Sequence, residues 1–175
     1  MIVPSSACPA SCRYCFGPHD GCGVMSIDVV KDIIDWQRDR PGRLEVSFHG
    51  GEPLTAGVDF FQEAIPLLEK GLSHRDVKFS IQSNLWLLTE ELCHTFRDHH
   101  VSIGTSLDGP ENITDAQRGI GYFRRTMKGI EMARRNGLDV GCICTFTPRS
   151  LPLLDEVFRF FMEQGLSYTI HACMP

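Results

Sequence analysis

Three cysteines stand close together near the start of the sequence, in the loop Cys8-Pro9-Ala10-Ser11-Cys12-Arg13-Tyr14-Cys15. The spacing CxxxCxxC allows three thiolates to wrap one corner of a compact inorganic core, and soft thiolate ligands select zinc, copper(I) or iron–sulfur clusters. A closed structural zinc site takes four ligands, usually as two well-separated pairs. A [4Fe–4S] cube held by three cysteines leaves one iron open for a substrate. On these residues alone, an open iron–sulfur site, a zinc site and ordinary thiols all stand as readings.

Two further stretches carry polar groups where a site could form. Ser47-Phe48-His49-Gly50-Gly51-Glu52-Pro53 places two glycines, which permit close backbone approach and unusual dihedrals, beside the carboxylate of Glu52. Ser106-Leu107-Asp108-Gly109-Pro110 supplies a hydroxyl and a second carboxylate. Gly-Gly by itself can simply turn a chain. His49, beside the glycines, is the one histidine credible as a cavity residue; the others follow no metal-ligand spacing.

The elements that position these residues follow from periodicity. A short strand begins at Met1 and leads into the cysteine loop and the Gly-rich stretch Phe16 to Gly23. Ser26 is a plausible N-cap for a helix whose apolar face is Ile27, Val30, Ile33 and Ile34. Asp28, Asp32, Asp35 and Asp39 lie opposite as a solvated row, and Pro41-Gly42 ends the helix. Strands are expected at 43–48, 77–81, 101–107, 138–146 and 166–172. Helices are expected at about 58–70, where Pro66 should bend or interrupt, from Thr89 to about 99, and at 122–135 and 153–163. Strands alternating with helices imply parallel pairing through right-handed crossovers. The expected fold is therefore α/β, a partial (βα)6 TIM-like barrel whose chain ends after the sixth strand. In such barrels a site is built at the carboxyl ends of the strands, where all three stretches fall.

The 175 residues suffice for one domain with a substantial core, and hydrophobic and charged contents of 42% and 22% are those of a globular protein. A net charge of −5 argues against a general nucleic-acid binder. No apolar run approaches the ~20 residues of a membrane span, and no secretory signal is apparent. Eight cysteines without an export signal point to a reducing, cytoplasmic compartment, with thiols serving metals or packing. Cys142 and Cys144 share a strand face and read as core residues, Cys93 as helix packing, and Cys22 as a spectator near the loop. Cys173, at the end of the last strand, is an open candidate for lining the site. Arg124, Arg125, Lys128, Arg134 and Arg135 make one helix basic; this is either a solvated face or an anion-attracting surface for an acidic peptide.

Taken in order, CxxxCxxC with Tyr14 before its last cysteine, SFHGGEP at 47–53 and SLDGP at 106–110 resemble the radical S-adenosylmethionine (SAM) superfamily. The pattern is most similar to the branch holding anaerobic sulfatase-maturating and other peptide-modifying enzymes with SPASM-type extensions. The resemblance implies that Cys8, Cys12 and Cys15 ligate a [4Fe–4S] cluster whose fourth iron is chelated by S-adenosyl-L-methionine. It further implies that Tyr14 packs near the adenine, that Gly50, Gly51 and Glu52 line the methionyl end, and that Ser106 faces the ribose. Arg118 would contact the SAM carboxylate or ribose. Reductive cleavage of SAM to a 5′-deoxyadenosyl radical, for hydrogen abstraction from a peptide or protein side chain, is the implied reaction. Its implied electron donor is a low-potential protein such as ferredoxin or flavodoxin. Residues 1–175 would be the radical SAM core domain, cut short before an auxiliary domain. Where the branch commonly reads Thr-Asn-Gly, this chain has Ser83-Asn84-Leu85, which makes the local turn an open question. A non-enzymatic iron–sulfur or zinc-binding module is the alternative reading.

Overall fold

Six parallel strands lie side by side in sequence order, which is what a chain of right-handed β–α–β crossovers produces when each new strand is laid against the last. The computed structural model describes residues 1–15, 17, 21 and 23–173; Cys22, His19 and most of the expected Gly-rich stretch fall outside them. The strands are β1 (Ile2–Ser5), β2 (Leu44–Gly50), β3 (Val77–Ser83), β4 (Ser102–Ser106), β5 (Val140–Phe146) and β6 (Tyr168–Ala172). The helices are α1 (Ile27–Gln37), α2 (Val58–Gly71), α3 (Glu90–Asp98), α4 (Glu111–Arg118), α5 (Tyr122–Arg135) and α6 (Leu154–Gln164). The α/β, open-barrel expectation holds.

The period of two sorts the strands into two faces. Val46, Phe48, Phe79, Ile81, Ile103, Cys142, Cys144 and Phe146 are buried in one apolar core. Into it the helices send Val30, Ile34, Phe61, Ile65, Leu68, Phe96 and Phe161. Phe61 meets both Phe48 and Phe96 edge-on at 5.4 and 5.5 Å, joining β2, α2 and α3 through one aromatic chain. Cys93, Cys142 and Cys144 are core residues, as expected. Burial pushes the thiols of Cys142 and Cys144 up to about 12, so both stay protonated and inert. The opposite face carries Ser47, His49, Ser80, Gln82, Ser106 and Thr145, none of them buried. No helix among the described residues is long and apolar enough to cross a membrane.

Two local expectations change. The second helix runs unbroken through Pro66. The carbonyl that Pro66 cannot serve belongs to Gln62, an exposed residue, and the missing bond does not end the helix. Helix α4 was not expected. It is eight residues long, and its buried positions include the polar Thr114, Gln117 and Arg118 beside Ile113, so no apolar stripe announces it.

Candidate functional site

Strand β1 delivers the cysteine loop to the end of the sheet, and the loop is fastened there on both sides. Upstream, the N–H groups of Gly51 and Glu52 donate to the carbonyls of Ser5 (3.3 Å) and Ala7 (2.7 Å). Downstream, the Arg13 N–H donates to the Gln117 carbonyl (3.0 Å), and the Cys15 N–H closes a turn on Cys12 (3.1 Å). The paired glycines are explained by this approach. A Cβ on Gly51 would stand 2.2 Å from the Ser6 oxygen and 2.6 Å from that of Ala7, while Gly50 has φ +131°. The close backbone neighbour is the cysteine loop itself. Cys8 and Cys12 are half-buried and Cys15 is exposed. Burial raises the Cys8 and Cys12 thiols, whereas Arg118 beside Cys12 pulls the other way. Among the described residues, no three His, Cys, Asp or Glu side chains gather closely enough to hold a single ion.

Glu52 is 1% exposed. Its Oε1 accepts from the Ser83 hydroxyl (2.6 Å) and the Leu54 N–H (3.0 Å), and its Oε2 from the Asn84 N–H (2.7 Å). Every one of these donors is uncharged. Burial therefore dominates and raises the Glu52 carboxyl above its ordinary value, although the three donors oppose it. The carboxylate ties the end of β2 to the turn after β3.

That turn answers the question raised by Ser83-Asn84-Leu85. Leu85 adopts φ +64°, the left-handed conformation that a glycine would take without strain. Its side chain is 2% exposed. The room is made by Gly129 on α5, where a Cβ would stand 2.4 Å from the Leu85 Cβ. The Leu85 N–H donates to Ser83 Oγ (2.9 Å) and the Trp86 N–H to Asn84 Oδ1 (3.0 Å), side-chain turns that hold the backbone. Thr126 of α5 donates its hydroxyl to the Asn84 carbonyl (3.2 Å) and accepts from the Trp86 indole (3.0 Å).

The second carboxylate, Asp108, is also 1% exposed and gathers five donors. Arg118 donates Nη2 to Oδ1 and Nε to Oδ2, both at 2.8 Å, a buried bidentate pair. The Tyr14 hydroxyl (2.9 Å) and Gln117 Nε2 (2.7 Å) also donate to Oδ2, and the Thr145 N–H (2.9 Å) to Oδ1. The Arg118 guanidinium lies 5.2 Å from the Tyr14 ring centroid and 5.3 Å from that of Tyr122. Burial would lower the Arg118 pKa, but Asp108 and its surroundings outweigh this and raise it. Burial likewise drives the Tyr14 and Tyr122 hydroxyls well above their ordinary range. The motif residues Tyr14 and Arg118, 104 positions apart by number, thus meet on Asp108, a carboxylate that the sequence placed at a strand end without naming its partners. An aspartate at a strand end, followed by Gly-Pro and then by an arginine one helix later, is the signal that could have marked it.

Ser106 lies on the open face and accepts from Gln82 Nε2 at 3.2 Å. His49 is exposed, with Nδ1 accepting from the Gly50 N–H (2.8 Å). The Cys173 N–H donates to the Phe146 carbonyl (2.8 Å), just beyond β6. The basic helix α5 is largely engaged locally. Arg124 pairs with Glu111 and Arg135 with Glu131, Arg125 covers Trp86, and Arg134 donates to the Gln164 and Gly165 carbonyls. That engagement favours the solvated-face reading.

The family model of the Radical SAM superfamily matches residues 2–159. An uncharacterized protein of Methanothermobacter thermautotrophicus is 43% identical over 178 residues, an alignment covering 100% of this chain and 67% of that protein. The cysteine-type anaerobic sulfatase-maturating enzyme of Clostridium perfringens is 26% identical, covering 96% of this chain and 49% of the enzyme. The solved structure of native anSMEcpe with bound AdoMet superposes with a TM-score of 0.90 at 23% identity, over 98% of this chain and 50% of that one. The chain therefore spans about half the length of the sulfatase-maturating enzyme it matches.

Proposed function

The chain belongs to the radical SAM superfamily, and we propose that residues 1–175 are the core domain of a peptide- or protein-modifying member of it. The family's cofactors are a [4Fe–4S] cluster and SAM. The observation that carries the proposal is the fastening of the three-thiol loop between Glu52, just after β2, and Asp108 with Arg118, just after β4, at the same end of the sheet.

The donor set suits a cube. Three soft thiols sit on one loop, and among the described residues no His, Cys, Asp or Glu joins them in a group that could hold a single metal ion. Cys8, Cys12 and Cys15 would hold three irons, leaving one for the amino and carboxylate groups of SAM. The chemistry that cluster and SAM supply when bound is one-electron cleavage of the sulfonium to methionine and a 5′-deoxyadenosyl radical, for hydrogen abstraction.

The chain's own residues bind and orient. Gly50 and Gly51 bring the backbone of β2 against the cysteine loop, so the methionyl end of SAM would meet main chain rather than a side chain. Among the described residues Glu52 Oε2 accepts only from the Asn84 N–H, and it retains acceptor capacity for the SAM ammonium. Ser106 would meet the ribose from the open face. Tyr14, held by its hydroxyl on Asp108, would present its ring toward the adenine. Arg118 spends Nε and Nη2 on Asp108, so Nη1 is what it would offer the SAM carboxylate or ribose. Positioning of this kind is suited to rigid strand ends.

A peptide substrate is supported by relatives whose names describe maturation of sulfatases, and by solved neighbours holding peptides. A low-potential carrier such as ferredoxin or flavodoxin, in the reducing cytoplasm, would deliver the electron. Anaerobic reconstitution should give a broad brown absorption and about four irons per chain, and dithionite with SAM should yield 5′-deoxyadenosine. Cys12→Ala should abolish both signals. A stoichiometric zinc atom, or a cluster that never cleaves SAM, would refute the reading and leave a non-enzymatic metal module.

A further inference from the structure

Asn84 is held at three points, two on its backbone and one on its side-chain amide. Its backbone N–H donates to Glu52 Oε2 (2.7 Å), its backbone carbonyl accepts from Thr126 Oγ1 (3.2 Å), and its side-chain Oδ1 accepts from the Trp86 N–H (3.0 Å). The last bond fixes which way the side-chain amide faces, since an amide oriented with Nδ2 toward Trp86 would oppose two donors. With Oδ1 so occupied, Nδ2 points at the cysteine loop, where its acceptor is the Cys8 sulfur at 3.9 Å. The residue is only 6% exposed, so water does not compete freely for this donor. The turn needs only the Asn84 side-chain oxygen, for the Trp86 N–H; the Nδ2 donor aimed at the sulfur is surplus to it. Ser83 Oγ and the Thr126 hydroxyl already hold the backbone there.

We infer that Asn84 is a positioning residue that sets the reduction potential of the cluster by donating an N–H···S hydrogen bond to Cys8. The inference rests on the reading of Cys8 as a cluster ligand. A hydrogen bond to a ligating sulfur favours the more negatively charged, reduced form, and such bonds are among the determinants of cluster potential. The donor is neutral, so it acts as an oriented dipole and adds no charge beside Glu52. Its orientation depends on the turn at Leu85 and, through Thr126, on helix α5. Cys12 has the cationic Arg118 beside it, whereas Cys8 takes two neutral donors, the Ala10 backbone N–H and the oriented Asn84 side-chain amide.

The test is an EPR-monitored redox titration of the reconstituted full chain, comparing wild type with Asn84→Ala and Asn84→Ser. Serine keeps an oxygen for the Trp86 N–H and so preserves the side-chain turn, but it loses the amide donor. Both variants should bind about four irons and keep the wild-type far-UV circular dichroism. Both midpoints should shift to more negative potential, and Ser80→Ala, on the open face of β3, should leave the midpoint where it was. A Ser variant with a full cluster and the wild-type midpoint overturns the inference while sparing the reading of the loop. A wild-type chain that assembles no cluster overturns that reading, and the inference with it.

Discussion

Glu52 and Asp108 are equally buried carboxylates at strand ends on either side of the cysteine loop, yet they are solvated in opposite ways. Asp108 is matched by a bidentate arginine and three further donors, so its charge is neutralised within the fold. Glu52 receives a hydroxyl and two backbone N–H groups and no counter-charge. One carboxylate is committed to structure. The other keeps a negative potential beside Cys8, where a bound cation would find it. The difference teaches that burial alone does not mark a functional carboxylate; the charge of its donors does.

The contrast is broken most forcefully at Asp108. Replacing it by Ala leaves Arg118 buried and unpaired, and removal of one partner of such a pair costs about 3–5 kcal/mol. Urea unfolding of the chain should therefore show a large loss for Asp108→Ala. In a double-mutant cycle with Arg118→Met the double variant should recover part of it. Purely additive losses would mean that the pair is not coupled and that the two carboxylates differ less than the contacts indicate.

Glu52→Gln should cost less and should depend on pH in a direction set by the raised pKa. The folded carboxyl titrates above its unfolded value near 4.5, so the folded state holds the proton more tightly. This contribution is present in full below that value and is lost as pH rises through the folded pKa. The wild type should therefore lose stability relative to Glu52→Gln as pH climbs from about 4.5, read as a narrowing gap in Tm. A gap that widens over the same range would mean that the three neutral donors outweigh burial at Glu52.

Much of this was legible in the sequence. Alternating strands and amphipathic helices gave six parallel strands in order, and CxxxCxxC, GGE and SLDGP fall at one end of the sheet. What escaped was polar and short. Helix α4 buries Thr114, Gln117 and Arg118, so periodicity could not find it. Asp108 was visible as a residue but not as a hub, because its five donors come from β1's loop, α4 and β5. Contacts of that sequence separation leave no local pattern. The glycine pair was legible as a place of close approach, but not that the approaching backbone was the cysteine loop.

The smallest effect lies in the turn that serves Glu52. The donors to Asp108 come from a turn, a helix and a strand, none of them at positive φ, whereas the Asn84 N–H that reaches Glu52 precedes a leucine at φ +64°. A left-handed non-glycine residue costs roughly 1–2 kcal/mol, and a buried leucine truncated to alanine loses roughly 2–5 kcal/mol. Leu85→Ala forfeits the packing against Gly129 and keeps the strain. Leu85→Gly forfeits slightly more packing but relieves the strain, against an entropic cost of roughly 0.5–1 kcal/mol. The glycine variant should therefore be as stable as the alanine variant or more stable by up to about 1 kcal/mol, although it deletes one more carbon. Equilibrium unfolding of the two variants measures this directly. An alanine variant clearly more stable than the glycine variant would mean that the turn carries no strain, and that the two carboxylates are held by equally relaxed backbone.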